Sequence, residues 1–233
     1  MSDKDKKDKK HKKDKDDKKK HDKKDKLLKS NQNIVIDTNF KNNDYVADKV
    51  LVLFGSPKKN GHTRSLVDSF IKARNLDAEF VFVNNLNIKG CQGCLYCQSH
   101  DGVCKPKDDM TDLYEKIRNA KKIIMAFPIY YGSLPGEYKC MIDRIYAVSS
   151  IENIQGKNVY GSIWKDSRDV FFIASHGNSI QQVKESIVRT IRYFCVDTNS
   201  VLKGFYFSKP TDTNDLKDEN LYLEDILIAG KDF

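Results

Sequence analysis

No stretch of this 233-residue chain approaches the ~18 consecutive apolar residues of a membrane-spanning helix. With no apolar run near its start, the chain is not expected to carry a secretory leader. The N-terminus is rich in both Lys and Asp, unlike the Arg-rich, acid-poor transit peptides. The chain is therefore expected to be soluble and cytoplasmic, with its thiols kept reduced. Two phosphate-binding signatures are also missing. There is no G-x-G-x-x-G, which excludes the dinucleotide fingerprint. An NTPase loop needs four residues between its glycines and then Lys, but Gly55 and Gly61 enclose five and His62 stands in the lysine's place.

The folded part has almost no net charge. The formal +8 comes mainly from residues 1–26, whose fourteen Lys and eight Asp supply +6. The remaining 207 residues carry 27 basic and 25 acidic groups, a net of +2, with no basic stripe for nucleic acid. The tail has no apolar residue after Met1, so it is expected to be disordered. Residues 27–48 are polar with two small apolar clusters and read as an arm against the domain or a partner subunit.

Regularity begins at Lys49. "VLVLF" (50–54), "FVFV" (80–83), "IIMAF" (123–127), "VFFIAS" (170–175) and "VLKGFYFS" (201–208) are apolar, β-rich runs of the kind buried on both faces of a parallel sheet. Between them, helical spacing recurs at Leu66/Val67/Phe70/Ile71, at Met110/Leu113/Tyr114/Ile117 with Asp108 or Asp109 as cap, and at Tyr138/Met141/Ile142/Ile145. A longer face runs Ile180/Val183/Ile187/Ile191/Phe194, and "ENLYLEDILIAG" closes the chain as a helix. Five strands alternating with helices predict an α/β, doubly wound five-stranded parallel sheet with helices on both faces, residues 49–233. Ligands of such sheets sit at the carboxyl ends of the strands. The loops to examine are then 55–63, 84–109, 128–134 and 175–178.

"GSPKKNGHTRS" (55–65) brings hydroxyls and an amide to a helix N-terminus, a setting that favours an anion. Without the NTPase lysine it suits a terminal phosphate that is held rather than transferred. "PIYYGSLPG" (128–136) could flank a flat aromatic ligand, and "SHGN" (175–178) offers small residues and backbone donors to the same ligand. Cys91, Cys94, Cys97 and Cys104 read C-x2-C-x2-C-x6-C. Structural zinc usually takes two separated pairs, whereas steps of three suit one [4Fe–4S] cube. Zinc and metal-free thiols stay open as alternatives. Cys140 and Cys195, on helices, read as packing residues.

"VLVLFGSPKKNGHT", "NIKGCQGCLYCQSHDGVCKPKDDM" and "IIMAFPIYYGSLPGEYKCMIDR" together resemble the NADPH-dependent FMN reductase superfamily of flavodoxin-like proteins, and within it the iron–sulfur flavoproteins. The likeness covers roughly residues 49–147. The stretch 148–168 finds no counterpart in it. The resemblance implies a flavodoxin-like fold with FMN at the strand ends. Its phosphate would lie on Ser56, Lys58, Asn60, Gly61, Thr63 and Ser65. The isoalloxazine would lie against Pro128, Tyr130, Tyr131, Gly132 and Ser133, with Ser175, His176 and Gly177 closing the far side. It also implies a homodimer or homotetramer, and a cluster on Cys91, Cys94, Cys97 and Cys104.

The expected function is an FMN-dependent oxidoreductase. Electrons would come from NAD(P)H or ferredoxin and leave to a quinone, a nitroaromatic or oxygen, with the chemistry on the flavin rather than on a catalytic side chain. The alternatives are a metal-free NAD(P)H-dependent FMN/quinone reductase and a flavin-carrying electron-transfer or regulatory module without turnover. Replacing any one of the four loop cysteines by Ala should abolish iron content and leave FMN bound, measured by iron assay and flavin absorbance. Full iron in all four variants would refute the ligand set.

Overall fold

The computed structural model describes residues 49–177, 182–211 and 220–233, with 220 and 221 by backbone alone. The tail 1–26, the arm 27–48, Asn178 and Ile180 lie outside the described residues. Among the described residues, seven strands and five helices follow in order: β1 (Lys49–Phe54), α1 (His62–Ala73), β2 (Asp77–Phe82), α2 (Met110–Asn119), β3 (Lys122–Pro128) and α3 (Gly136–Arg144). Next come β4 (Ser149–Ile154), β5 (Lys157–Ser162), β6 (Arg168–Ser175), α4 (Lys184–Asp197), β7 (Ser200–Phe207) and α5 (Asn220–Ala229).

Five strands form the expected parallel sheet in the order β2-β1-β3-β6-β7. Its central strands are apolar on both faces because both faces are covered. Leu51, Leu53, Ile123, Met125, Phe127, Val170 and Phe172 point into one core, where α2, α3 and α4 contribute Met110, Ile117, Tyr138, Ile191 and Phe194. Val50, Val52, Phe54, Ile124, Phe171 and Ile173 point into the other, under Leu66, Val67 and Phe70 of α1 and Ile226 of α5. The chain leaves β1 for one neighbour and returns to the other side of β1 as β3. The topological switch point therefore lies between β1 and β3, the place where ligands of such sheets bind.

The predicted runs fall inside the observed strands with small boundary shifts. β2 begins three residues earlier than predicted and Val83 opens a short 3-10 turn instead; Pro128, expected as the stop after the third strand, is its last residue. The stretch 148–168 holds two strands that the sequence pattern did not predict: β4 and β5 pair antiparallel as a separate hairpin. Its turn residues Gln155 and Gly156 both take positive φ (52° and 78°), the I′ geometry that matches strand twist. Gln-Gly is a weak turn signal. Asn153 supplies what it lacks, accepting the Gly156 N–H at 3.1 Å and donating to Asn158 at 3.2 Å.

β7 carries a register shift opposite Val170 and Phe171 that leaves Lys203 as the extra residue. The next residue, Gly204, lies under α5, where a Cβ would stand 2.1 Å from the Ala229 carbonyl oxygen. Backbone would have to move to admit it. Gly204→Ala should therefore destabilise the fold by about 1–3 kcal/mol, read as a lower urea midpoint at unchanged slope.

Candidate functional site

The carboxyl ends of β1, β3 and β6 bring three of the predicted loops together. The first leaves the sheet at Gly55, whose N–H donates to the Ala126 carbonyl at 2.7 Å. The buried Tyr138 ring lies against it, 2.3 Å from where a Cβ would be, so only glycine passes. Ser56 is buried and turns the loop, its Oγ accepting the Lys58 N–H at 3.2 Å. Lys58 and Asn60 are exposed, and Gly61 and Ser65 are half-buried. Gly61 caps α1 by position with no side chain bonded to its free N–H groups and no acidic residue in its first turn. That leaves the positive end of the helix open to an anion.

Thr63, in that first turn, is buried and hydrogen-bonds Ser175 at the end of β6, Oγ to Oγ at 2.7 Å across 112 residues of sequence. A hydroxyl pair has two protons and uses one in its mutual bond, so one remains to donate elsewhere. Ser175 also accepts, through its carbonyl, the Ile129 N–H at 2.7 Å, and it pairs with Pro128 in the sheet. These contacts bind the first, third and fourth loops into one rim.

Tyr130 and Ser133 exchange backbone hydrogen bonds of 3.0 and 2.9 Å around Tyr131 and Gly132. Both central residues have positive φ, 49° and 72°, again an I′ turn. A tyrosine rarely adopts that conformation, and here it leaves the Tyr131 ring wholly exposed beside a half-exposed Tyr130. His176 is buried; its N–H donates to Ser208 Oγ at 3.3 Å and its carbonyl accepts from the Thr211 N–H at 2.9 Å. Gly177 is half-buried beside it. Ser208 and Thr211 thus support the fourth loop, and no local pattern marks either for that role. Nor was Asn84 foreseen: just past β2, its Oδ1 is buried with no hydrogen-bond partner among the described residues, while Nδ2 donates to Glu137 at 3.3 Å.

The second loop carries the cysteines. From Leu86 to Asp109 its regular structure is one 3-10 turn, Tyr96–Ser99. Gly93, Leu95, Asp101 and Gly102 all take positive φ and wind the chain back on itself. Cys91, Cys94, Cys97 and Cys104 line one small cavity with Pro106, Arg144 and Tyr146. Cys91 and Cys94 are exposed, Cys104 is half-buried and Cys97 is buried. Burial raises the Cys97 thiol pKa, a hydrogen bond from Gln98 opposes this, and the neighbouring Cys104 and Cys91 add to the rise. The cavity is about 20 Å³, roughly one water's room. Among the described residues, no three His, Cys, Asp or Glu side chains converge to hold a single metal ion. A tetrahedral zinc takes all its ligands on one atom. A cubane takes one thiolate on each of four irons and so asks for wider spacing. Four free thiols around one cavity are the donor set that a cubane takes.

The neck of this loop is closed by a buried ion pair. Arg144, at the end of α3, meets Asp108 at 2.9 Å with both side chains almost wholly buried (1% and 3% exposed). Asp108 also accepts the backbone N–H groups of Lys89 at 3.0 Å and Met110 at 3.2 Å. Of the two predicted caps, Asp109 holds the cap position of α2 without a side-chain cap bond and instead accepts the Asn87 N–H at 2.7 Å, while the Asp108 carboxylate takes the Met110 N–H in its place. Burial alone would raise the Asp108 pKa, but the hydrogen bonds from Arg144 and Lys89 outweigh it and hold the pKa below its ordinary value. Of the two helix cysteines, Cys195 sits in the core, and Cys140 is half-buried with its sulfur close to Gly90.

A folded-state pKa held low gives stability that is present above the ordinary aspartate range and lost as pH falls through the lowered value. Asp108→Asn should therefore cost about 3–5 kcal/mol near neutrality by leaving Arg144 buried and unpaired. The gap to wild type should narrow as pH falls below about 4, read from urea unfolding at a series of pH values.

The NADPH-dependent FMN reductase family pattern matches residues 49–202. An iron–sulfur flavoprotein of Methanosarcina thermophila is 33% identical over 99 residues, 41% of this chain and 51% of that protein. One of Archaeoglobus fulgidus is 34% identical over 101 residues, 42% and 51% respectively. The chain thus spans about half the length of the curated relatives it matches. Among solved structures, an NAD(P)H:quinone oxidoreductase from Methanothermobacter marburgensis superposes with a TM-score of 0.57 at 16% identity, covering 80% of this chain and 98% of that one. An FMN-dependent NADH-azoreductase from Bacillus anthracis gives 0.56 at 13%, covering 79% and 99%. At such identities the likeness is one of fold, here the flavodoxin-like α/β sheet.

Proposed function

The chain belongs to the NADPH-dependent FMN reductase family, and from that premise we propose that residues 49–233 form an FMN-dependent oxidoreductase with a [4Fe–4S] cluster on its cysteine loop. Electrons enter from NAD(P)H or ferredoxin and leave to a small acceptor such as a quinone, a nitroaromatic or oxygen. Bound FMN supplies two-electron hydride chemistry and a cluster supplies single-electron transfer.

The observation that carries the flavin half is the Thr63–Ser175 hydrogen bond at the uncapped start of α1. It sets two hydroxyls beside free helix N–H groups, which suits a terminal phosphate. Ser56, Lys58, Asn60, Gly61 and Ser65 complete that cradle in our reading. Pro128, Tyr130, Tyr131, Gly132 and Ser133 flank the ring system, and Ser175, His176 and Gly177 close its far side. The rigid I′ turn would fix the angle of the tyrosine pair, and the buried Tyr138 under Gly55 would keep the phosphate loop from shifting.

The cluster half rests on four free thiols around one cavity, with Cys91, Cys94, Cys97 and Cys104 as ligands. The tightness of that cavity favours one other reading, a metal-free FMN/quinone reductase whose thiols line a lid. The exposed cross-strand pair Ile151 and Tyr160 on the hairpin is consistent with an oligomer.

Anaerobic purification with iron, acid-labile sulfide and flavin assays should yield one FMN and about four iron and four sulfide per chain. FMN without iron would leave the metal-free reductase. Steady-state oxidation of NADH or NADPH with a quinone should show turnover, and none with either nucleotide or reduced ferredoxin would leave a passive carrier. Thr63→Val should weaken FMN binding about tenfold or more, since a hydrogen bond to a charged group is worth about 1.5–3 kcal/mol, as read by fluorescence titration of the flavin-free protein.

A further inference from the structure

Arg144 has five N–H donors, and every one has an acceptor on the cysteine loop or its neck. Two go to the Asp108 carboxylate at 2.9 and 3.1 Å. Two go to backbone carbonyls, Lys89 at 2.8 Å and Pro106 at 3.4 Å. The fifth, Nε–H, points at Cys104 Sγ at 3.1 Å. Lys89 lies two residues before Cys91, and Pro106 lies two after Cys104, so one side chain spans the whole neck.

A clamp that only closed the neck would need the carboxylate and the two carbonyls. The bond to sulfur adds something else. A sulfur is a poor acceptor when neutral and a good one when it carries charge. With the guanidinium fully saturated and almost wholly buried, its Nε–H cannot swing away. Tyr114 holds the end of α3 by donating to the Arg144 carbonyl at 2.6 Å.

We propose that Arg144 is a positioning residue that selects Cys104 as the electronically distinct ligand of the cluster and, through its charged hydrogen bond to that sulfur, raises the cluster's reduction potential. This rests on the cysteine-ligand reading above. One-electron reduction of a cluster breaks no bond and moves no proton, and the added negative charge spreads onto its thiolate sulfurs. A charged donor fixed at one of them stabilises the reduced form over the oxidised one, and hydrogen bonds to sulfur are a recognised determinant of cluster potential.

The test is a dithionite titration of the anaerobic holoprotein, following the cluster by electron paramagnetic resonance, in wild type, Arg144→Lys and the paired variant Arg144→Gln/Asp108→Asn. The pair removes both buried charges together and keeps amides of similar shape, so the neck is not left with an unpaired ion. Iron content and far-ultraviolet circular dichroism are recorded for each. A tenfold loss in the reduction equilibrium, a fall of about 59 mV for one electron, is expected in the paired variant. Arg144→Lys should fall less, because it keeps the charge but not the fork. An unchanged potential with full iron would overturn the tuning role while leaving the cluster reading intact. Loss of iron from both variants with the fold preserved would reduce Arg144 to a structural clamp, and so overturn the proposal as well. Wild type without iron would refute the ligand reading itself and this inference with it.

Discussion

Burial of the parallel sheet on both faces is the constraint from which the other features follow. A parallel strand needs a crossover back to its starting end, and here those crossovers are helices on both sides of β1, β3 and β6. With both faces occupied, the surfaces left for chemistry are the two ends of the sheet. Because the chain leaves β1 in one direction and resumes as β3 in the other, the switch point falls between them at the carboxyl end. Thr63 and Ser175, 112 residues apart, meet there only because β1, β3 and β6 run side by side.

The cysteine loop meets a different physical problem. It has almost no ladder to satisfy its backbone, and buried carbonyls without donors are costly. Arg144, at the end of α3, answers that with two of its donors, on the Lys89 and Pro106 carbonyls, and Asp108 returns the charge and takes two backbone N–H groups. The result is a loop whose neck is fixed by a buried, fully satisfied network while its tip, with Cys91, Cys94 and Leu95, stays exposed.

The hairpin β4–β5 is the fold's addition to the plain five-stranded plan. It lies beside the cysteine loop, where Gly102 packs so closely on Ile163 that a Cβ would come within 2.4 Å, and Gln98 donates to the Tyr146 carbonyl at 3.3 Å. A two-stranded ribbon is marginal alone. This one is held by its turn chemistry and by contacts with α4, and it presents Ile151 and Tyr160 to solvent as a cross-strand pair.

The sequence by itself determined the sheet, its parallel character and the four loops that matter. Each of those is a local property: apolar β-branched runs, helical spacing, and turn residues at strand ends. It also marked Ser56, Thr63, Ser175 and the four cysteines as chemistry-bearing, because hydroxyls at a helix start and thiols in steps of three carry meaning without a partner. It could not show the hairpin, since "SSIENI" and "KNVYGS" are polar and joined by a turn that depends on an Asn side chain three residues away. Nor could it show that Arg144 serves the cysteine loop. That role depends on α3 crossing the neck some 36 residues after Asp108, a proximity that packing decides and no local pattern records. The residues capable of chemistry were legible in sequence. Which of them touch was decided only by tertiary structure, because contact across the sheet is set by strand order and not by spacing along the chain.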